Sequence, residues 1–261
     1  MLLIPIIHDV ALKTRRRALV PVFSAIVVAV SSAAHAADTN VAVAANFTEP
    51  AKEIARVFES KTGHRAVLSF GATGQFYTQI TQAAPFQVLL SADQRTPKKL
   101  VDDGVAVANS LFTYAIGKIV LFSNNATLVT GEQTLRDTKF NKIAIADPAT
   151  APYGMAAVEA MKALGVYDAL ASKIVQGSDI AQTFQFVETG NAELGFVALS
   201  QVVAKQGGSR WIVPANLYSA IRQDAVLLRN GADSVAAKAF LAFMMGAEAT
   251  KVIEKFGYGT N

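Results

Sequence analysis

The sequence predicts an α/β protein of two lobes, each a mostly parallel sheet flanked by helices, and three observations carry that expectation. Short apolar runs alternate with amphipathic stretches, as parallel sheets covered on both faces require. The alternation lapses after Gly104 and resumes around "KIVLFS", which divides the chain into two sets of similar size. No repeat, low-complexity segment or proline-rich linker separates the sets, so the lobes are expected to be closely joined around a cleft.

The elements follow in order. "NVAVAA" (40–45) reads as a buried strand, and "TEPAKEIARVFESKTG" as a helix whose Ile54, Val57 and Phe58 share one face and whose Gly63 ends it in the left-handed region. "AVLSF", a glycine loop and a helix come next, then "QVLLSA" and a helix from "TPKKLVDDG". The stretch "VAVANSLFTYAIG" shows no clear period. After "KIVLFS" the alternation continues through "KIAIAD", "AAVEAMKALG", "KIVQG", a helix from Asp179, "LGFVAL" and a helix to Gly207. "SRWIVP", "QDAVLLRNG" and the amphipathic "DSVAAKAFLAFMMG" and "AEATKVIEKFG" complete the chain.

Residues 1–36 read as a cleaved signal peptide. Lys13 and Arg15 to Arg17 precede the apolar run "ALVPVFSAIVVAV", and Ala34-His35-Ala36 supplies a small-x-small cleavage pattern, so a mature start at Ala37 and export to the periplasm are expected. The run is short for a membrane span, and no other stretch is long and apolar enough. The leader holds four of the 24 basic residues and one of the 20 acidic ones, leaving 20 against 19. A nucleic-acid surface would show a clustered basic excess, so that partner is not expected. With no cysteine in the chain, disulfides, thiol chemistry and a lipobox anchor are excluded.

Catalysis is tested by elimination. The mature chain keeps one histidine, His64, in a turn before a strand, so neither a Cys/His nor a Ser/His/Asp nucleophile is easily built. Zinc sites want His and Cys ligands. What remains is four strand-to-helix junctions carrying small, polar or glycine residues: "AANFTEP", "SFGATGQF", "ADPATAPYGM" and "QGSDIAQTF". Each supplies unpaired N–H groups and the positive end of a helix dipole. In open parallel sheets, ligands bind where such junctions lie. Ordinary capping is the competing reading for Asn46, Thr73 and Asp179. "SFGATGQF" lacks the lysine and Ser/Thr of a phosphate loop, so any anion there is held without a positive charge.

"VAVAANFTEPAKEIARVFESKTG" resembles the opening of the periplasmic molybdate-binding proteins, the ModA family. "PFQVLLSADQ", "IAIADPATAPYGMAAVEAMKALG" and "ELGFVALSQV" resemble its later motifs in the same order, across essentially the whole mature chain. The resemblance implies the two-lobed periplasmic binding fold (type II), capture of molybdate or tungstate in the interlobe cleft, and delivery to the membrane permease of an ABC importer. It implies a monomeric binder rather than an enzyme, no cofactor, and molybdenum held only as its oxyanion. Carried over by position, the ligand residues are Asn46 with Ala45 beside it, Thr73, Tyr153 through its backbone N–H or its hydroxyl, and Ile180 after the Asp179 cap. One position departs: where some members carry an oxyanion-binding tyrosine, this chain has Ala198, and Tyr153 is the residue expected to take over part of that role.

A fully ionised tetrahedral dianion offers only acceptors, so a shell of donors suits it and no lysine is required. Phosphate keeps a proton near neutral pH and would want an acceptor, which Asp179 could supply unless helix capping occupies its oxygens. Sulfate shares the charge and shape of molybdate, so a receptor for sulfate or another tetrahedral oxyanion is the alternative. A secreted metal-dependent phosphoesterase is the reading from a different class. The lobes are expected at 37–116 with 225–261, and at 117–224, crossing near Tyr114–Lys118 and Arg222–Ala225. Binding across the cleft would drive hinge closure, because the closed form then holds the anion with both halves of the donor set.

Overall fold

The structure is a computed structural model that describes residues 1–3 and 36–260; the signal-peptide reading therefore falls almost wholly outside the described residues. The chain walks through β1 (Asp38–Ala44), a one-turn 3-10 segment (Ala45–Phe47) and α1 (Thr48–Thr62). Then come β2 (Arg65–Gly71), α2 (Thr73–Thr81), β3 (Val88–Leu90), α3 (Arg95–Asp102) and β4 (Phe112–Gly117). A second set holds β5 (Ile119–Ser123), α4 (Gln133–Asp137), β6 (Ile143–Ala146), α5 (Pro152–Ala163) and α6 (Tyr167–Leu170). It continues with β7 (Ile174–Gly177), α7 (Ile180–Glu188), β8 (Leu194–Ala198), α8 (Leu199–Val202) and β9 (Ser209–Ile212). The chain returns through β10 (Ile221–Leu227) to α9 (Val235–Met244) and α10 (Ala247–Lys255).

Two five-stranded sheets result, ordered β2-β1-β3-β10-β4 and β7-β6-β8-β5-β9. Each has a parallel core of three strands, and two further strands pair antiparallel. The parallel cores come from the strand-helix alternation, because a parallel neighbour needs a crossover long enough to hold a helix. The stretch without a clear period contains β4, whose partner β10 lies over a hundred residues later, so its ladder is set by a distant strand rather than by local pattern.

The first crossing falls at Lys118, between β4 and β5. The return crossing lies between Ile212 and Ile221, ahead of the expected Arg222–Ala225, because Ile221 to Gln223 already pair with Gly117 to Ala115 of the first sheet.

Each sheet buries both faces. In the first lobe Phe47, Ile54, Phe58 and Phe240 pack on one face, with the Phe58 and Phe240 rings edge-to-face at 5.2 Å. Phe76, Ile80, Leu89 and Leu100 fill the other. In the second lobe Ile143, Ile145 and Met161 lie on one side, and Phe122, Val187 and Val197 on the other. Burial of each such side chain contributes about 1.5–3 kcal/mol, which is how the chain holds its fold without disulfides. As the sequence predicts, Gly63 closes α1 in the left-handed region at φ 74°.

Candidate functional site

Two adjacent parallel strands of each sheet end side by side at the cleft. β1 and β2 finish their ladder at Ala44 opposite Gly71, and β6 and β7 finish theirs at Ala146 opposite Gly177. Each strand is followed within a few residues by a helical start: the 3-10 segment at Ala45, α2 at Thr73, α5 at Pro152 and α7 at Ile180. These four junctions line one small cavity with about 10 Å3 of free space. Its lining includes Ala45, Asn46, Thr73, Tyr153 and Ile180, so all five residues carried over from the sequence come together, three from the first lobe and two from the second. Gly71, Ala72, Ala92, Ala151 and Pro152 complete most of the wall.

No lysine, arginine or histidine lines the cavity; the one charged side chain on its wall is the Asp179 carboxylate. The available donors are backbone groups. Ala45, Thr73 and Ile180 are the first residues of their helical segments and Tyr153 is the second of α5, so each N–H lacks an acceptor within its own helix. Helix dipoles add positive potential at the starts of α2, α5 and α7.

The capping alternative divides. Asp179 is a true N-cap: the Ala181 and Gln182 N–H groups donate to its Oδ1 at 2.8 and 2.9 Å, which leaves the Ile180 N–H outside the cap. Both bonds converge on Oδ1, so capping occupies one carboxylate oxygen rather than two. Asn46 and Thr73 are not caps. The cap positions before the 3-10 segment, α2 and α5 are Ala44, Ala72 and Ala151, none of which can accept a hydrogen bond through its side chain.

Thr73 is 2% exposed and its Oγ1 accepts the Ala92 N–H at 3.0 Å, which leaves its own proton to donate. Neither Gly71 nor Gly74 has a positive φ, so Gly74 is not required by a left-handed backbone. It is a point of contact between lobes: its N–H donates to the Thr150 carbonyl at 2.9 Å, and a Cβ there would lie 3.0 Å from the Thr150 Cα.

The Asn46 and Tyr153 side chains do more than line the wall. Asn46 Nδ2 donates to Gln223 Oε1 at 2.8 Å and to the Tyr258 hydroxyl at 3.0 Å. Gln223 Nε2 donates to the Tyr153 hydroxyl at 3.2 Å, and the Tyr114 hydroxyl lies 3.1 Å from Gln223 Oε1. Ser200 of the second lobe donates to the Asn46 carbonyl at 2.8 Å. Burial, reinforced by the neighbouring phenols, holds the Tyr153 hydroxyl well above its ordinary pKa. Burial pushes Tyr258 up to about 12. Both therefore remain neutral hydrogen-bonding groups at physiological pH.

The family model "Bacterial extracellular solute-binding protein" matches residues 39–259. Over 236 residues the chain is 53% identical to the molybdate-binding protein ModA of Rhodobacter capsulatus, which covers 90% of this chain and 94% of that protein. With the ModA of Azotobacter vinelandii it shares 53% identity over 231 residues, 87% of this chain and 92% of that one. The chain belongs to the ModA family of bacterial extracellular solute-binding proteins. A solved Azotobacter vinelandii periplasmic molybdate-binding protein has the same fold, with a TM-score of 0.83 at 38% identity over 85% of this chain and 99% of that chain.

In this ModA-family chain Ala198 is fully buried at the end of β8 and does not line the cavity. Its N–H donates to Gln201 Oε1 at 2.9 Å, and Gln201 Nε2 donates to the Ile180 carbonyl at 3.0 Å, so Gln201 braces the start of α7 from behind. Sequence reasoning missed Gln201, Gln223, Tyr258 and Ser200. The nearest signal was the alanine before each helical start in "AANF", "ATGQ" and "APYG", where a capping residue would be usual.

Proposed function

We propose that this chain is a periplasmic receptor that closes its two lobes on molybdate or tungstate and delivers the oxyanion to the membrane permease of an ABC importer. The observation that carries the reading is the convergence, from both lobes, of four helical starts on one small cavity without a cation. The free space, about 10 Å3, is far below the roughly 300–1,000 Å3 usual for organic ligands, so a site here is one for a compact ion. Backbone N–H groups of Ala45, Asn46, Thr73, Tyr153 and Ile180, with the Thr73 hydroxyl, form the donor shell; the two Asn46 amide protons are engaged by Gln223 and Tyr258. Charge-assisted bonds of about 1.5–3 kcal/mol each, with the helix dipoles, offset the cost of dehydrating the dianion. The likeness to molybdate-binding proteins favours molybdate over sulfate.

On this reading the chain is a binder rather than an enzyme, works as a monomer without a cofactor, and engages no nucleic acid. The phosphoesterase alternative needs a carboxylate or histidine cluster, and among the described residues no group of three or more such side chains is placed to hold a metal. No described helix is long and apolar enough to cross a membrane.

Calorimetric titration of the purified protein with molybdate, tungstate, sulfate and phosphate tests the proposal. Tight 1:1 binding of molybdate and tungstate with weak or no sulfate binding is expected. Preference for sulfate would sink it, and preference for monohydrogen phosphate would show that Asp179 acts as an acceptor.

A further inference from the structure

The site residues do not explain why a fully buried glutamine sits behind them. Gln223 is 0% exposed, in the strand that carries the chain back into the first lobe, at a register shift between Gln223 and Asp224. A buried side-chain amide is costly unless its donors and acceptor are used. Here both the oxygen and the nitrogen are engaged, on residues from both lobes. Oε1 accepts from Asn46 Nδ2, a first-lobe wall residue of the cavity, and Nε2 donates to the hydroxyl of Tyr153, a wall residue of the second lobe.

Space is reserved for this bridge. Gly117, the last residue of β4 beside the crossing at Lys118, has no positive φ and does not need glycine for its backbone conformation. Any Cβ at that position would overlap the Tyr153 hydroxyl and lie 2.8 Å from Gln223 Nε2.

Resting on the oxyanion-receptor reading, we propose that Gln223 is a positioning residue: it ties Asn46 to the Tyr153 hydroxyl across the lobes, favours the closed form and slows release of the bound anion. The role of Tyr153 is thereby divided. Its backbone N–H serves the anion, and its hydroxyl serves the bridge. When the lobes rotate apart, Tyr153 moves with the second sheet while Gln223 and Asn46 stay with the first, so the Gln223–Tyr153 bond is a bond of the closed form. Such a bond adds nothing to the first encounter with a ligand and acts on its escape.

The test uses three variants of the full chain: Tyr153→Phe, which keeps the backbone N–H and deletes only the hydroxyl; Gln223→Leu; and Gly117→Ala, which removes no hydrogen-bonding group. Stopped-flow fluorescence of the single tryptophan, Trp211, reads molybdate association and dissociation. Small-angle scattering reads the ligand-free radius of gyration. Each variant is expected to release molybdate about five-fold faster, the worth of one net hydrogen bond, with association changed less than about two-fold. The effects of the Tyr153→Phe/Gln223→Leu double variant should fall short of the sum of the two single ones, because the Gln223–Tyr153 bond is lost in each. The ligand-free variants should be more open than the parent.

Parental release rates in all three variants, with only a lower melting temperature, would overturn the proposal and leave Gln223 a packing residue. Ligand-free radii equal to the parent's would overturn it as well. If the parent binds no molybdate or tungstate, the receptor reading fails, and the scattering comparison still decides whether Gln223 holds the lobes together.

Discussion

From the first lobe the cavity receives Thr73, whose hydroxyl keeps a proton to donate, with Ala45 and with Asn46, whose amide protons are engaged by Gln223 and Tyr258. From the second it receives Tyr153, whose hydroxyl is engaged with Gln223, and Ile180, whose side chain offers no polar atom. One wall therefore presents a side-chain hydroxyl as well as backbone, and the other presents backbone alone with a carboxylate at its edge. A backbone donor cannot be removed by ordinary substitution, so the second lobe should tolerate changes of side chain that the first does not. Its weakness is proline.

Ile180→Pro is the sharpest way to break that comparison. Proline is accommodated at the first position of a helix, and Asp179 before it is already extended at φ −152° and ψ −179°, so α7 should survive while one N–H disappears. Molybdate affinity is expected to fall by about 1.5–3 kcal/mol, while Ile180→Val stays within about two-fold of the parent. Calorimetry on both variants decides it; equal affinities would remove Ile180 from the donor set.

The buried phenols give the next effect, on stability rather than affinity. Tyr258 is raised from the ordinary 10.0 to about 12, so the folded protein holds that proton more tightly than the unfolded chain. The resulting stability is fully present below pH 10 and is lost as pH climbs through about 12, on the order of 2 kcal/mol. Urea unfolding at stepped alkaline pH should show this loss in the parent and a shallower one in Tyr258→Phe. Identical slopes would mean that Tyr258 does not couple to folding.

On the side-chain wall, Thr73→Ala should cost roughly ten-fold in molybdate affinity, since it deletes a buried donor and strips the Ala92 N–H of its acceptor. No change would place the hydroxyl outside the ligand shell. The smallest effect is expected at Asp179→Asn, which keeps a capping oxygen and removes the one negative charge of the wall. Affinity should rise by a few-fold at low ionic strength, and the gain should shrink as salt is added. A gain that ignores salt would point to a steric cause.

Most of the architecture was legible because parallel strands and their crossover helices leave a local, repeated signal: "NVAVAA", "KIAIAD" and "LGFVAL" all fall on strands. The 105–117 stretch was not, since β4 is defined by pairing with β10 far along the chain. At the site, positions survived better than reasons. Asn46 and Thr73 carried two readings, cap or ligand, and the sequence could not show that alanines hold the cap positions. Gln223 and Tyr258 stand 177 and 212 residues from Asn46, a separation at which no pattern in the sequence reports contact.

The alanines at 44, 72 and 151 bear on how the protein withstands heat. A helix that starts without a capping side chain forgoes about 1 kcal/mol, and a bound dianion supplies acceptors at several such starts at once. Ligand and fold are then linked by mass action: oxyanion at a hundred times its dissociation constant raises the unfolding free energy by about 2.7 kcal/mol. Survival of the chain in a warm or protease-rich compartment would rise and fall with the supply of the nutrient it collects.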